Sequence, residues 1–209
     1  MRSIAALLGV LAGLPACGTA ARTEAPAAAP ATAAEDRIAA RVRADSVRRP
    51  YTEDDVRFMT HMIHHHAQAL VMAGWAPSHQ AGPAVRRLAE RIASGQADEI
   101  ATMRQWLADR GRPAHAGDHR LRMPGMLTED QLRELDAARG EAFDRLFLRF
   151  MIQHHRGAVS MVRDLFATRG AARDETVFKL ANDVGADQST EIARMEAMLA
   201  TLDTETRTP

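Results

Sequence analysis

The 209-residue chain has one cysteine, Cys17. That excludes an internal disulfide and removes thiolate from the ligands a folded domain could offer. Aromatic residues are only 4% of the chain and β-branched runs are almost absent, which argues against a core built from sheets. Charge of one sign is missing as well: 27 Lys and Arg balance 27 Asp and Glu, so no basic field marks a nucleic-acid or membrane-surface binder. No apolar run approaches the ~20 residues of a spanning helix. Phosphate-binding glycine loops, a Ser/His/Asp order and redox cysteine pairs are also lacking. Against these absences stand abundant Ala, Leu, Arg and Glu, which favour helices, and two high counts, 9 His and 11 Met.

The first residues read as an export signal, with Arg2, an apolar run from Ile4 to Leu14, and small residues before Cys17. Leu14-Pro15-Ala16-Cys17-Gly18 is similar to a bacterial lipoprotein cleavage box. The expectation is a signal peptide over 1–17, with Cys17 lipidated as the first mature residue. An Ala/Pro-rich tether over 18–34 and an accessory helix over 35–50 follow. The expected location is the cell envelope, on a periplasmic or other extracytoplasmic membrane face.

Laid on itself, the chain repeats. Met62-Ile63-His64-His65-His66-Ala67-Gln68-Ala69-Leu70-Val71-Met72 aligns without gaps on the stretch from Met151 to Met161, with six identities in eleven positions. Val85 to Leu107 aligns on Val177 to Leu199 with nine identities, among them Gln96/Gln188, Glu99/Glu191 and Met103/Met195. Phe58, Met62, His65, Ala69 and Met72 fall at spacings of 4, 3, 4 and 3, a stripe down one helix face. The other three segments carry similar stripes. Two helical hairpins, about 52–108 and 140–202, are therefore predicted over a domain of 51–205. The fold expected is all-α, a four-helix bundle of the ferritin-like kind. Thr52 and Asp55 mark a helix start, and Thr128-x-x-Gln131 marks a short helix in the connection 109–139.

The seams are apolar except for His, Gln and Glu, which recur in both copies. Counted from each hairpin turn, His65 falls level with Gln96 and His154 with Gln188, so these residues and Glu99 and Glu191 should share one layer. Met62 with His66 and Met151 with His155 are i, i+4 pairs that could chelate one ion. Imidazole suits late first-row metals and thioether favours Cu(I), so copper capture is the leading expectation; zinc or iron remain alternatives. His61 and His64 occur in one copy only, as candidates for a mouth or surface site. A lone pairing of His65 with Glu99 and His154 with Glu191, holding register without metal, is the competing reading. So are a ferritin-like metal-dependent oxidase and a metal-free helical interaction module.

Phe58-Met59 through Met72, Gln96-x-x-Glu99-Ile100-x-x-Met103, Met123-Pro124-Gly125-Met126, and Gly140-x-x-Phe143-Asp144-x-x-Phe147 through Met161 resemble the DUF305 family of bacterial envelope proteins. The likeness covers about 51–201. It implies a ferritin-like fold and, for some members, copper binding or copper resistance. The resemblance carries metal-site expectations to Met62, His65, His66, Met72, Met151, His154, His155 and Met161. It extends them to Gln96, Glu99, Gln188, Glu191, Met123 and Met126. Met103 and Met195 join them on their nearness to the layer.

Overall fold

The structure, a computed structural model, describes residues 36–37, 40–41, 44, 50–112 and 123–205. Cys17, the tether and the two histidines of the connection, His115 and His119, lie outside the described residues. Asp36, Arg37, Ala40, Arg41 and Ala44 are helical and exposed.

Each helix begins where local chemistry supplies a start. Helix α1 (Glu53–Gly74) opens on a reciprocal cap, Thr52 Oγ1 accepting from Asp55 N and Asp55 Oδ2 accepting from Thr52 N. Glu53, Asp54 and Asp55 in its first turn complement the helix dipole. Helix α2 (Pro83–Asp109) places Pro83 at its first turn, where a missing N–H costs nothing. The short helix α3 (Glu129–Ala137) carries the capping box of Thr128 and Gln131. Helices α4 (Gly140–Ala167) and α5 (Glu175–Glu205) complete the fold.

Among the described residues every regular element is helical, and no helix is long and apolar enough to cross a membrane. The principal packing partners are α1 with α2, α4 with α5, and α1 with α4. Apolar side chains gather in two clusters. An upper one holds Met72, Leu88, Ile92, Phe143, Phe147, Met151 and Met195. A lower one holds Phe58, Met62, Met103, Trp106, Val162, Val177 and Val184. Helix α1 therefore runs from lower to upper, while α2 and α4 both run from upper to lower. Because α2 ends low and α4 starts high, the connection must climb the length of the molecule, as a crossover does.

Reciprocal pins join the hairpins. The buried Asp55 of α1 accepts the Ala172 N–H from the α4–α5 turn at 2.7 Å. Asp144 of α4 accepts the Gly82 N–H from the α1–α2 turn at 3.0 Å. These aspartates occupy equivalent repeat positions. Each end of the core is closed around a tryptophan. At the lower end Trp106 donates to Asp174 at 3.0 Å, and Arg110 pairs with the same carboxylate at 2.7 Å while lying over the Trp106 ring. At the upper end Trp75 stacks on His79. A turn histidine at this position would ordinarily face solvent, yet His79 is buried. Its Nε2 reaches the Asp136 carbonyl at 2.9 Å and its ring meets Phe143, so it ties the end of α3 to the first hairpin turn.

Candidate metal centre

Between the two apolar clusters lies a polar layer. A helix inside a bundle has more than one neighbour, and successive residues point about 100° apart. His65 faces α4, where its ring meets that of His154 with centroids 3.8 Å apart. His66 faces α2, where its Nε2 donates to Glu99 at 2.7 Å. The second hairpin repeats the contact: His155 Nε2 donates to Glu191, also at 2.7 Å. Four imidazoles thus form a row across the molecule, with a glutamate at each end and neighbouring centroids 6.4, 3.8 and 6.2 Å apart. All four histidines are fully buried.

The glutamate partners differ from the pairing the seam period suggests. Glu99 and Glu191 bind the off-seam His66 and His155, leaving His65 and His154 to each other. Both glutamates keep some exposure, 18% and 24%, which lets each carboxylate remain solvated while it orients a buried ring.

These contacts set the tautomers. A carboxylate oxygen only accepts, so Nε2 of His66 and of His155 carries the proton, and the neutral ring keeps its lone pair on Nδ1. His65 Nε2 donates to the Pro124 carbonyl at 3.0 Å with the same result. The Nδ1 atoms of all four histidines, and Nε2 of His154, are buried without a hydrogen bond. So are both amide atoms of Gln96 and of Gln188. An unsatisfied buried polar group costs about 1–3 kcal/mol, and folded proteins leave few of them. Nine such atoms gather in one layer.

Electrostatics keeps the central pair neutral. Burial, then the neighbouring His66, pushes the His65 imidazole down to about 3, although its bond to Pro124 opposes the shift. Burial, then His65 and His155, holds His154 well below the ordinary histidine range. Neutral imidazole is the form that ligates. Histidines oriented by a carboxylate or a carbonyl through the far nitrogen are the arrangement commonly found around bound metals.

Sulfur flanks the row on both sides. Met62 and Met103 lie in the lower cluster, Met151 and Met195 in the upper one, and none is solvent-accessible. Each is within about one to two helical turns of the histidines. Met72 and Met161 stand seven residues past His65 and His154, about 10 Å along the axis, and so lie outside the layer. Among the described residues no three His, Asp or Glu side chains are grouped to hold an ion.

The connection, at the segment visible in sequence as Met123-Pro124-Gly125-Met126, crosses beside the row and meets it through the Pro124 carbonyl on His65. Gly125, at φ 76°, passes directly over α4 at Gly157. A Cβ on Gly157 would overlap the Pro124 carbonyl and stand 2.6 Å from the Gly125 Cα. Gln68 of α1 grips the segment at both backbone groups of Leu127, at 3.1 and 2.8 Å. Gln153 of α4 donates to the Gly125 carbonyl at 3.4 Å. Met123 and Met126 flank this strap, half-buried. Gln68 and Gly157 are equivalent repeat positions. A single strand crossing a two-fold arrangement cannot meet both copies alike, so one copy bonds it and the other makes room. His61 and His64 are half-buried on α1, outside the row.

The fold and this layer define an all-helical protein whose two hairpins enclose a buried histidine row closed at both ends by carboxylates. The chain belongs to the DUF305 family, described as a domain of unknown function, which it matches over residues 55–199. A DUF305 fragment from Deinococcus radiodurans is 34% identical over 73% of this chain and 99% of its own, with a TM-score of 0.65. A DUF305 protein of Streptomyces coelicolor described as secreted is 29% identical, over 72% and 94%, with a TM-score of 0.66. CopM in its Cu(I)-bound form is 32% identical, over 73% and 98%, with a TM-score of 0.58. CopM is also known in Cu(II)- and silver-bound forms. No curated protein matches the chain.

Proposed function

We propose that this protein binds copper, as Cu(I), in the histidine row, and that it captures or buffers the ion outside the cytoplasm. The observation that carries the reading is the set of four buried Nδ1 atoms without hydrogen-bond partners, three of them on rings whose Nε2–H is already held by Glu99, Glu191 or Pro124. A soft, low-coordinate cation needs few donors and accepts imidazole and thioether together, which suits a row of rings flanked by Met62, Met103, Met151 and Met195. In this reading Glu99 and Glu191 orient ligands rather than ligate, while Gln96 and Gln188 stand ready as amide donors. Similarity to CopM, known with copper and silver bound, supports the same choice of metal.

A ferritin-like oxidase would require carboxylates free to bridge two ions, whereas each glutamate here is committed to a histidine. The anchor proposed at Cys17 would hold the domain at the envelope surface; the secreted relative supports export.

Competition for Cu(I) against a chromogenic chelator tests the centre. The full chain is expected to take up the ion, and the His65→Ala, His154→Ala double variant to lose the tight site while remaining helical by circular dichroism. Equal uptake by both proteins would place copper elsewhere. The anchor is tested separately: Cys17→Ser is expected to move the protein from the membrane fraction to the soluble one.

A further inference from the structure

The repeat fails most sharply at the lower end of the α1/α4 seam. There a groove of about 240 Å³ opens between the start of α1 and the end of α4, lined by Asp54, Phe58, His61, Pro124, Met161 and Asp164, among others. At the upper end, the repeat-equivalent positions of Asp54, Arg57, His61 and Asp164 are Phe143, Leu146, Phe150 and Trp75. Those four side chains belong to the upper apolar core or pack against it. Asp54, Arg57, His61 and Asp164 are therefore each replaced by a large apolar residue at the other end, where only Thr168 has a polar counterpart, His79, so the difference is not a requirement of the shared fold.

The groove chemistry is specific. It brings together one imidazole, His61, and one thioether, Met161, from different helices. Arg57 pairs with Asp54, whereas Asp164 has no ion pair among the described residues, so the balance at the surface favours cations. The groove also adjoins the layer. Pro124 is both part of its wall and the carbonyl that holds His65. Phe58 belongs both to its wall and to the lower cluster, and the half-buried Met161 packs against that cluster, which contains the fully buried Met62, three residues before His65.

We propose that this groove is the mouth through which a soft monovalent cation reaches the histidine row, with His61 and Met161 as a first, solvent-facing subsite. At the upper end Phe143, Phe150 and Trp75 occupy the equivalent positions. The inference rests on the row being the metal centre. In operation the ion leaves water for one imidazole and one thioether, then passes inward along the sulfur-bearing lower cluster beneath the Pro124 strap.

Stopped-flow transfer of Cu(I) from a chromogenic chelator to the full chain, with the equilibrium titration beside it, separates the two claims. His61→Phe installs the residue found at the equivalent upper position, and His61→Ala guards against an effect of bulk. Both are expected to slow capture by about tenfold or more, on the order of one lost ligand contact, while equilibrium affinity of the row stays within about twofold of wild type. Silver titration should shift the Met161 methyl resonance at the first additions in wild type and not in His61→Ala. Wild-type capture rates in both variants, with the row still binding, would overturn the mouth alone. A wild-type chain that binds no Cu(I) would overturn the mouth and the centre together.

Discussion

Replacing Gly157 by alanine separates helix propensity from the demands of the crossing strap. In an isolated helix, Gly→Ala stabilises by about 1 kcal/mol. Gly95 of α2 provides the reference, because a Cβ there meets nothing within 4 Å, and Gly95→Ala should stabilise the protein by about 0.5–1 kcal/mol. At Gly157 the same methyl overlaps the Pro124 carbonyl and comes within 2.6 Å of the Gly125 Cα. These are backbone atoms, held by Gln68 and Gln153, and cannot swing aside like a side-chain tip. Overpacking costs about 1–3 kcal/mol, and displacing Pro124 from His65 removes a hydrogen bond worth about 1 kcal/mol net. Subtracting the propensity gain leaves Gly157→Ala destabilised by about 1–3 kcal/mol, opposite in sign to Gly95→Ala. Urea unfolding in the presence of a metal chelator, followed by far-ultraviolet circular dichroism, measures both variants against wild type. The thermal midpoint should move by about 2–4 °C per kcal/mol for a domain of this size. A Gly157→Ala protein as stable as Gly95→Ala would refute the idea that the connection bears directly on α4.

Three further outcomes follow from other parts of the structure. Asp55→Ala removes a helix cap and leaves the buried Ala172 N–H unsatisfied, so unfolding free energy should fall by about 2–4 kcal/mol by the cap and desolvation terms; a fall under about 0.5 kcal/mol would contradict the pin. For the metal-free protein, His65 and His154 titrate below 6.5 in the fold, so the unfolded chain binds more protons between pH 6.5 and about 3. Their contribution is complete above 6.5 and is lost on acidification, at about 1.4 kcal/mol per pH unit for each histidine. Urea midpoints that are flat from pH 6.5 to 5 and match those of the double histidine variant would negate that linkage. Finally, Glu99→Gln or Glu191→Gln should weaken Cu(I) binding about 10–100-fold by releasing an oriented ring, read by chelator competition; unchanged affinity would leave the glutamates with a packing role only.

Helix boundaries were legible because they rest on local signals. Thr52 with Asp55 and Thr128 with Gln131 act through their nearest neighbours, and the helices start within a residue or two of them. The layer was legible because the internal sequence repeat has the same polar residues in two otherwise apolar seams. Which histidine meets which glutamate was not. A single stripe describes one neighbour of a helix, while α1 faces both α2 and α4, so residues 65 and 66 serve different partners. The burial of His79 was hidden for a similar reason, since Trp75, Asp136 and Phe143 meet it from three separate segments. The crossing at Gly157 left one trace, the mismatch of Gln68 with Gly157 inside a well-kept repeat. A close approach between segments 32 residues apart has no period and no local motif.

The aspartate pins carry a consequence for how such a chain can be assembled. Each hairpin supplies a carboxylate oxygen that accepts an amide of the other hairpin's turn, Asp55 Oδ1 from Ala172 and Asp144 from Gly82. This is the self-complementary contact of a two-fold dimer, written into one polypeptide. A single hairpin alone would lack the partner of one carboxylate oxygen and of one turn amide. Held in one chain, the two hairpins meet without any dependence on protein concentration, and the one connection crosses the layer on one side only.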